Sequence, residues 1–468
     1  MSAFAGRSGR SLLLYAGALL LAIVVGAVLP YTERFGGDKG PYLLLGVVVA
    51  MAFASAILLQ WRLGAILLVA ALPFESAINF GPVASGMKAL ALLTFISFAL
   101  ALLTDQKLLE RFMNLWRQPL ALMLLAFVLW NSASNLWAAN QGDALRATIG
   151  FLGLLGATVV ISSLEMRYLV LVWACFVFSA FLSVPAGYIL PVPEDSFMSV
   201  SGRFGPAGAT PNTYACDMAI AYFVVCFGLL SRRRIVPYLL APVFLYAIFA
   251  TASRTGLVAL VATPLLAMLV PRLAARLGWR VLTLYLTGTI ALAVMALAIP
   301  WVTEIALERY TTLFQIGSED TWSGRWSSWQ GALDAIASHP LLGAGTGNFA
   351  DATLDHSEVV LRHSIEAGQV GSQAHNIYLG VATELGLVGL VLFLVVLFFL
   401  FKAAVPIAQR SDLGTGILLG LIVFMIAGIT LPWVDHKMVY YLFGSVLALQ
   451  LHYSSRGAPS ADKHVRRS

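Results

Sequence analysis

Charge is scarce in this chain. Only 11% of its 468 residues are Asp, Glu, Lys or Arg, whereas soluble domains carry about 25%. Since a soluble domain needs a charged surface, this deficit excludes that class of protein. Hydrophobic residues reach 59% and the mean hydropathy is +0.85, which indicates a chain that lies mainly in lipid.

Cysteine is also scarce. The three cysteines, Cys175, Cys216 and Cys226, fall within apolar stretches, and none forms a Cys-x-x-Cys pattern. This arrangement disfavours a disulfide framework and a cysteine-based metal site. We therefore expect no metal. We also expect no other cofactor and no nucleic-acid partner. The sequence also lacks low-complexity segments and an appended soluble domain.

Long apolar stretches, in contrast, fill the chain. Each membrane span takes about 20 apolar residues, and about fourteen such stretches are present. They lie near 11–29, 41–59, 63–79, 87–103, 119–134, 147–163, 168–190, 214–230, 235–250, 256–270, 281–300, 374–401, 413–431 and 438–453. The third is short, so twelve or thirteen spans are alternatives. The first follows two arginines, as in a signal peptide, but no small-residue cleavage site follows, so we expect a retained span.

The segments between these stretches alternate in charge. One set contains 19 of the 29 basic residues and five of the 23 acidic ones. Its basic members are Arg7, Arg10, Arg62, Lys107, Arg111, Arg117, Arg167, Arg232, Arg233, Arg234, Arg272, Arg276, Arg280, Lys402, Arg410 and the four in the tail from Arg456. Basic loops stay in the cytoplasm, so both termini are predicted inside, which requires an even number of spans.

The predicted fold class is therefore all-α, a polytopic membrane protein of about 12–14 transmembrane helices with one large extracytoplasmic loop. That loop is the polar stretch 301–373. The spacing of its tryptophans and aliphatic residues predicts a helix over 325–338. His339-Pro340 should end this helix before a turn-rich, glycine-containing loop at 343–347. A loop of this length with its own helix is typical of a functional segment.

Arginine and histidine mark the candidate site on the predicted outer side. Arg203 lies before the eighth apolar stretch, Arg254 between the ninth and tenth, and Arg325 in the outer loop. A guanidinium group donates in a fork that fits phosphate and stays charged. His375, with Asn376 at the start of the twelfth stretch, could accept a proton from a hydroxyl, because an unperturbed imidazole titrates near neutrality.

Each of these positions has an ordinary structural alternative. Arg203 and Arg325 would suit solvated positions at the membrane interface. His375 would suit the first turn of a helix, and His339 a structural turn before its proline.

Arg254 would suit a salt bridge to Glu304 or Asp217, although small residues surround it at the mouth of a predicted span. Glu384 falls within the twelfth apolar stretch, where a charge is expensive unless it is paired. We expect an arginine or a hydroxyl as its partner and favour a structural role. An aromatic belt is predicted at the span ends, formed by Trp116, Trp130, Trp137, Trp301, Trp322 and Trp433.

Several of these segments together resemble the O-antigen ligase and O-antigen polymerase superfamily of bacterial membrane glycosyltransferases. The resemblance covers roughly 200–395. Its motifs are Arg203-Phe-Gly205 with Pro211-Asn212, Ser253-Arg254-Thr-Gly256, Gly324-Arg325-Trp326, His339-Pro340-Leu-Leu-Gly343-Ala-Gly345-Thr-Gly347, and Ala374-His375-Asn376-Ile-Tyr378 with Glu384-Leu-Gly386. The two histidine motifs at their spacing are the specific part; Ser-Arg alone is not.

The resemblance implies a metal-independent transfer of a glycan from an undecaprenyl-diphosphate carrier to an acceptor hydroxyl at the outer face of the inner membrane. It implies that Arg203 and Arg254 hold the diphosphate and that His375 activates the acceptor. Arg325 would form the loop side of the pocket, with Asn212 and Asn376 as further substrate-binding residues.

The same resemblance suggests three regions. They are an N-terminal transmembrane bundle at 1–200, a catalytic region at 201–400, and C-terminal helices with a basic cytoplasmic tail at 401–468. The acceptor is a lipid A-core sugar in ligases and another lipid-linked glycan in polymerases, and relatives use protein hydroxyls. We slightly favour a polymerase or exopolysaccharide role, because no basic cluster for a phosphorylated lipid A-core is present. The alternatives are a transporter or flippase of lipid-linked oligosaccharides and a non-catalytic envelope scaffold.

Overall fold

A computed structural model describes residues 40–78, 85–189, 203–206, 209–231, 236–275, 277–279, 319–354 and 373–457, together with single positions between 281 and 361. The first apolar stretch, most of 281–318 and the basic tail lie outside the described residues. The described chain is all-helical, as predicted.

The helices are numbered here in chain order. They are α1 Gly40–Leu59, α2 Trp61–Ala70, α3 Gly86–Thr104, α4 Gln106–Leu115, α5 Pro119–Ala133, α6 Gln141–Ser162, α7 Met166–Ile189, α8 Pro211–Phe223, α9 Val236–Ala250, α10 Arg254–Ala267, α11 Glu319–Ser338, α12 Phe349–Thr353, α13 Ile377–Ala408, α14 Asp412–Gly428 and α15 Lys437–Gly457. Short 3₁₀ helices occupy Leu72–Ile78, Ser134–Leu136 and Trp433–Asp435, and a π-helical turn at Val224–Leu229 extends α8.

Six helical segments in the described part of the chain are long and apolar enough to cross a membrane. They are Gly86–Thr104, Pro119–Leu136, Gln141–Ser162, Met166–Ile189, Pro211–Leu229 and Ile377–Ala408. The predicted third span is instead a pair, Trp61–Ala70 and Leu72–Ile78, bent by 83°, which makes a seventh candidate. A multi-pass membrane protein is therefore confirmed, and the total of 12–14 spans stays a prediction.

One helix was not anticipated from the sequence. The segment counted as a basic loop after α3 forms α4, which Asp105 caps by accepting hydrogen bonds from the backbone N–H groups of Lys107 and Leu108. Arg111 on α4 donates to the carbonyl oxygens of Ser162 at 3.4 Å and Ala448 at 3.3 Å. A search for long apolar stretches misses such a helix, because only one of its faces is apolar.

The helices have two chemically different ends, which α6 connects. At its last turn, near Ser162, lie Arg111 and the ion pair between Arg62 and Glu165, whose atoms are 3.1 Å apart. At its first turn, the backbone N–H of Asn140 donates to Asn348 Oδ1 at 2.6 Å. The basic segments predicted as cytoplasmic and the polar outer loop therefore contact opposite ends of one helix.

Small residues let the central helices approach closely. A Cβ on Gly256 of α10 would lie 2.5 Å from Ala215 Cβ on α8. Gly416 of α14 would meet the backbone of Gly228, and Gly444 of α15 would meet the carbonyl of Thr158 on α6. Such glycines allow the backbone contact that stabilises helix pairs in lipid.

Helix α11 begins earlier than predicted and ends where predicted. It spans Glu319–Ser338, against the expected 325–338, and the chain leaves it at His339-Pro340. Residues 339–348, which we call the glycine loop, follow it. Gly343, Gly345 and Gly347 all have positive φ there, which confirms the turn-rich prediction.

The glycine loop is bound to a break in α13. Gly386 has φ 68° and ψ −175°, which interrupts the helical conformation. Across this break, Leu387 N–H donates to the carbonyl of Pro340 at 2.8 Å. A Cβ on Gly386 would overlap the carbonyl of Leu341, so only glycine fits.

Two tryptophans assigned to an aromatic belt have a more specific role. The indole N–H of Trp130 donates to the carbonyl of Leu385 at 3.0 Å, and that of Trp137 donates to the carbonyl of Leu342 at 3.2 Å. Both therefore connect the α5 end to the joint between the glycine loop and α13.

Candidate functional site

Arg203 is an anchored arginine. Its side chain is only 4% exposed. The Nε–H group donates to the carbonyl of Thr251 at 2.8 Å, and Nη2 donates to Asn212 Oδ1 at 2.8 Å. The guanidinium plane is thereby fixed between the end of α9 and the start of α8. The alternative of a solvated interfacial Arg203 is wrong.

Arg254 begins a helix at the same junction. It is the first residue of α10, three residues after the carbonyl that Arg203 contacts. Ser253 caps α10 by accepting from the N–H of Gly256 at 3.2 Å, and Ala252 has a positive φ of 49°. The turn at 251–253 therefore places one arginine against its carbonyl and the other at the helix N-terminus, where the macrodipole also favours an anion.

A hydroxyl pair joins this junction to α14. Thr255 and Thr430 share a hydrogen bond of 2.6 Å between their side-chain oxygens. Thr430 follows the last turn of α14, so the C-terminal end of α14 lies beside Arg254.

His375 lies at the start of α13. It is exposed and has a positive φ of 46°. Asn376 caps α13, because its Oδ1 accepts from the N–H groups of Tyr378 and Leu379 at 2.9 and 3.1 Å. The cap holds the backbone beside His375 in one conformation and gives Asn376 a structural use, which the sequence did not indicate.

The segments that carry His375 and Arg254 both contact the C-terminal end of α14. A Cβ on Gly428 would lie 2.9 Å from Ile377 Cγ2, two residues after His375. Two residues after Gly428, Thr430 contacts the residue next to Arg254. His375 and Arg254 therefore belong to segments that contact the same end of α14, and Arg203 joins them through the carbonyl of Thr251.

Arg325 is placed only through its helix. It belongs to α11, whose Trp329 donates from its indole N–H to the carbonyl of Ala374 at 2.9 Å. This bond ties α11 to the residue before His375. The side chain of Arg325 lies outside the described residues, so its role stays a prediction.

Two ion pairs near the junction were missed in the candidate set. Asp217, considered above as a partner of Arg254, pairs with His436, with Oδ1 and Nε2 3.0 Å apart. The next residue, Lys437, pairs with Glu75. The signal was present, since Asp217 falls within an apolar stretch, where a charge calls for a partner.

Asp435 lies beside these pairs, in the 3₁₀ helix between α14 and α15. Burial raises the pKa of its carboxyl above the ordinary value, and the positive charges of His436 and Lys437 oppose that rise. The segment from 429 to 437 therefore carries several charged side chains that lie close to one another.

The fold is that of an all-helical multi-pass membrane protein, and one turn joins the anchored Arg203 to the helix that begins at Arg254. Residues 238–394 match the family model described as O-Antigen ligase. This match supports the resemblance to the O-antigen ligase and polymerase superfamily over that part of the chain. No curated protein matches the chain. The match includes Arg254, the glycine loop and His375, whereas Arg203 and Asn212 lie before it.

Proposed function

We propose that the chain is a metal-independent glycosyltransferase that moves a glycan from an undecaprenyl-diphosphate carrier to an acceptor hydroxyl at the outer face of the bacterial inner membrane. The observation that carries the proposal is the junction at Thr251, where Arg203 is anchored and from which α10 begins at Arg254. Two guanidinium groups supported there suit the two phosphates of a diphosphate.

The chemistry follows from where charge develops. As the bond between the anomeric carbon and the diphosphate oxygen breaks, its electron pair leaves with the diphosphate. Fixed cations stabilise that charge, and each such donor is worth about 10²–10³-fold in rate. The acceptor oxygen forms the new bond and gives its proton to His375, which contributes about 10²–10⁴-fold.

The acceptor we favour is a hydroxyl of a second lipid-linked glycan, as in a polymerase. A phosphorylated lipid A-core would need a basic surface. Near the glycine loop, Arg146 is already paired with Asp143, whose atoms are 3.2 Å away.

The test is glycan joining by purified protein in nanodiscs supplied with a lipid-linked oligosaccharide. Arg254→Ala should lower the joining rate about 10²–10³-fold, and Arg254→Lys should restore only part of it, because an ammonium lacks the guanidinium fork. Arg146→Ala is the matched control, since Arg146 is 84% exposed and lies on the same side of the structure; it should join normally.

The transporter alternative predicts a different outcome. In liposomes, a transporter with Arg254→Ala would fail to move the lipid-linked oligosaccharide between leaflets, and wild-type protein would not join glycans. That pair of results would overturn the proposal.

A further inference from the structure

The segment between α14 and α15 contains a hydrogen-bonded pair of a histidine and a carboxylate that the transfer chemistry does not use. His436 and Asp217 are 14% and 8% exposed, with 3.0 Å between Nε2 and Oδ1. Asp217 lies on α8, five residues after Asn212. A carboxylate in this apolar helix needs a partner, and the partner comes from residues 429–436, which we call the C-terminal loop.

The C-terminal loop is fixed at both ends to the helices that carry the site. Thr430 bonds Thr255 of α10, next to Arg254. His436 bonds Asp217 of α8, the helix whose first turn contains Asn212. Helices α8 and α10 also touch each other directly at Ala215 and Gly256.

We propose that His436 is a positioning residue of the transfer site. Its pair with Asp217 fixes the C-terminal loop against α8, so that Thr430 holds the first turn of α10 and Arg254 at the correct distance from the anchored Arg203. His436 acts through Arg254 and does not touch the substrate. The inference rests on the proposed function, since the diphosphate is what the two arginines hold.

The neighbouring ion pair provides a matched control. Lys437 follows His436 directly and pairs with Glu75 of the 3₁₀ helix Leu72–Ile78. This pair ties the same part of the chain to an element that contributes no residue to the site. Losing it should lower stability without moving Arg254.

The experiment compares His436→Gln, Asp217→Asn and Glu75→Gln in full-length protein in nanodiscs. Glycan joining is measured against the concentration of lipid-linked donor and, separately, of acceptor, together with the melting temperature. We expect His436→Gln and Asp217→Asn each to raise the donor KM about tenfold and leave the acceptor KM unchanged, because a misplaced arginine weakens diphosphate binding. Glu75→Gln should keep both KM values.

Two further variants test the positioning role independently. Thr430→Val removes the hydroxyl bond at the other end of the C-terminal loop and should raise the donor KM in the same way. The double variant of His436 and Asp217 should raise the donor KM no more than either single change does, because the two residues act as a unit.

Several results would overturn the inference. They are an unchanged donor KM in His436→Gln, an equal rise in Glu75→Gln, or additive effects in the double variant. If wild-type protein fails to join glycans, the proposed function itself fails. If wild-type joins and His436→Gln binds donor normally, only the positioning role is wrong.

Discussion

The carboxylate of Glu384 accepts a hydrogen bond from the backbone N–H of Gly347 at 3.0 Å. Three more consecutive N–H groups of the glycine loop are also used within the protein. Ala344 donates to the carbonyl of Thr383 and Gly345 to that of Glu384, and Thr346 donates to Ser134 Oγ. Glycine-rich loops elsewhere bind phosphate through such N–H groups. Here they bind α13, the 3₁₀ helix that follows α5, and the protein's own carboxylate. The glycine loop is therefore a structural connection between these elements, which we call the clasp.

Removing the Glu384 carboxylate should weaken this clasp. Glu384→Ala removes the acceptor of the Gly347 N–H, an exposed donor, so we expect a loss of about 0.5–1.5 kcal/mol, the usual net contribution of a hydrogen bond. Glu384→Gln keeps an acceptor oxygen and should lose much less. Melting temperatures of the two purified variants measure the difference. If the two variants lose the same amount of stability, the negative charge of Glu384, and not its hydrogen bond, stabilises the clasp.

Gly386 should tolerate no side chain. Its φ and ψ are nearly restricted to glycine, at a cost of about 1–3 kcal/mol for other residues, and a Cβ would overlap the glycine loop. Gly386→Ala should therefore reduce folded yield and stability. Gly380→Ala in the same helix is the control, since its Cβ would lie 3.6 Å from Ala374 Cβ, an ordinary contact. Similar folded yield and stability of Gly386→Ala and Gly380→Ala would contradict the close contact between Gly386 and the glycine loop.

Much of this architecture could be predicted from the sequence, because apolar length and charge asymmetry are properties of local composition. The end of α11 at Ser338 and the turns at 343–347 follow from proline and glycine, whose backbone preferences are local. The acceptor for Gly347 was not predictable. Glu384 was expected to pair with an arginine or a hydroxyl, and it instead accepts from backbone N–H groups, among them that of Gly347, 37 residues away in sequence.

Asn212 should be sensitive to charge. Asn212→Asp keeps the oxygen that accepts from Arg203 but adds a negative charge beside the anchored guanidinium. The carboxylate would compete with a diphosphate, so we expect donor KM to rise about tenfold or more, with acceptor KM unchanged and folding intact. Asn212→Ser, which adds no charge, is the comparison. An unaltered donor KM in Asn212→Asp would remove Arg203 from the diphosphate site.

Asp435 should make stability depend on pH. Burial raises its pKa, so the native state binds this proton more tightly than the unfolded chain does. The ionised carboxylate therefore reduces stability above the raised pKa, and the penalty disappears as pH falls through it. Asp435→Asn should raise the melting temperature at about pH 8 and have little effect near about pH 4, where the unfolded carboxyl also begins to protonate. A lower melting temperature of Asp435→Asn at about pH 8 would contradict this expected direction of the pH dependence.

The candidate site was predictable in part for a physical reason. Arginine beside a membrane span is costly, so Arg203 and Arg254 were identifiable without coordinates. Their relation through Thr251, and the pairing of Asp217 with His436, depend on contacts between distant segments, which composition does not encode. Asn376 was predicted as a substrate ligand and is seen as the cap of α13; whether it also contacts substrate stays a prediction.

We propose different roles for the two kinds of residue: the arginines hold the diphosphate, and His375 takes the acceptor proton. The most direct measurement compares donor binding and glycan joining by Arg254→Ala and His375→Ala in the same nanodiscs. Arg254→Ala should lose both, whereas His375→Ala should bind donor like wild type and join glycans about 10²–10⁴-fold more slowly. Full joining by His375→Ala, or unimpaired donor binding by Arg254→Ala, would contradict the account.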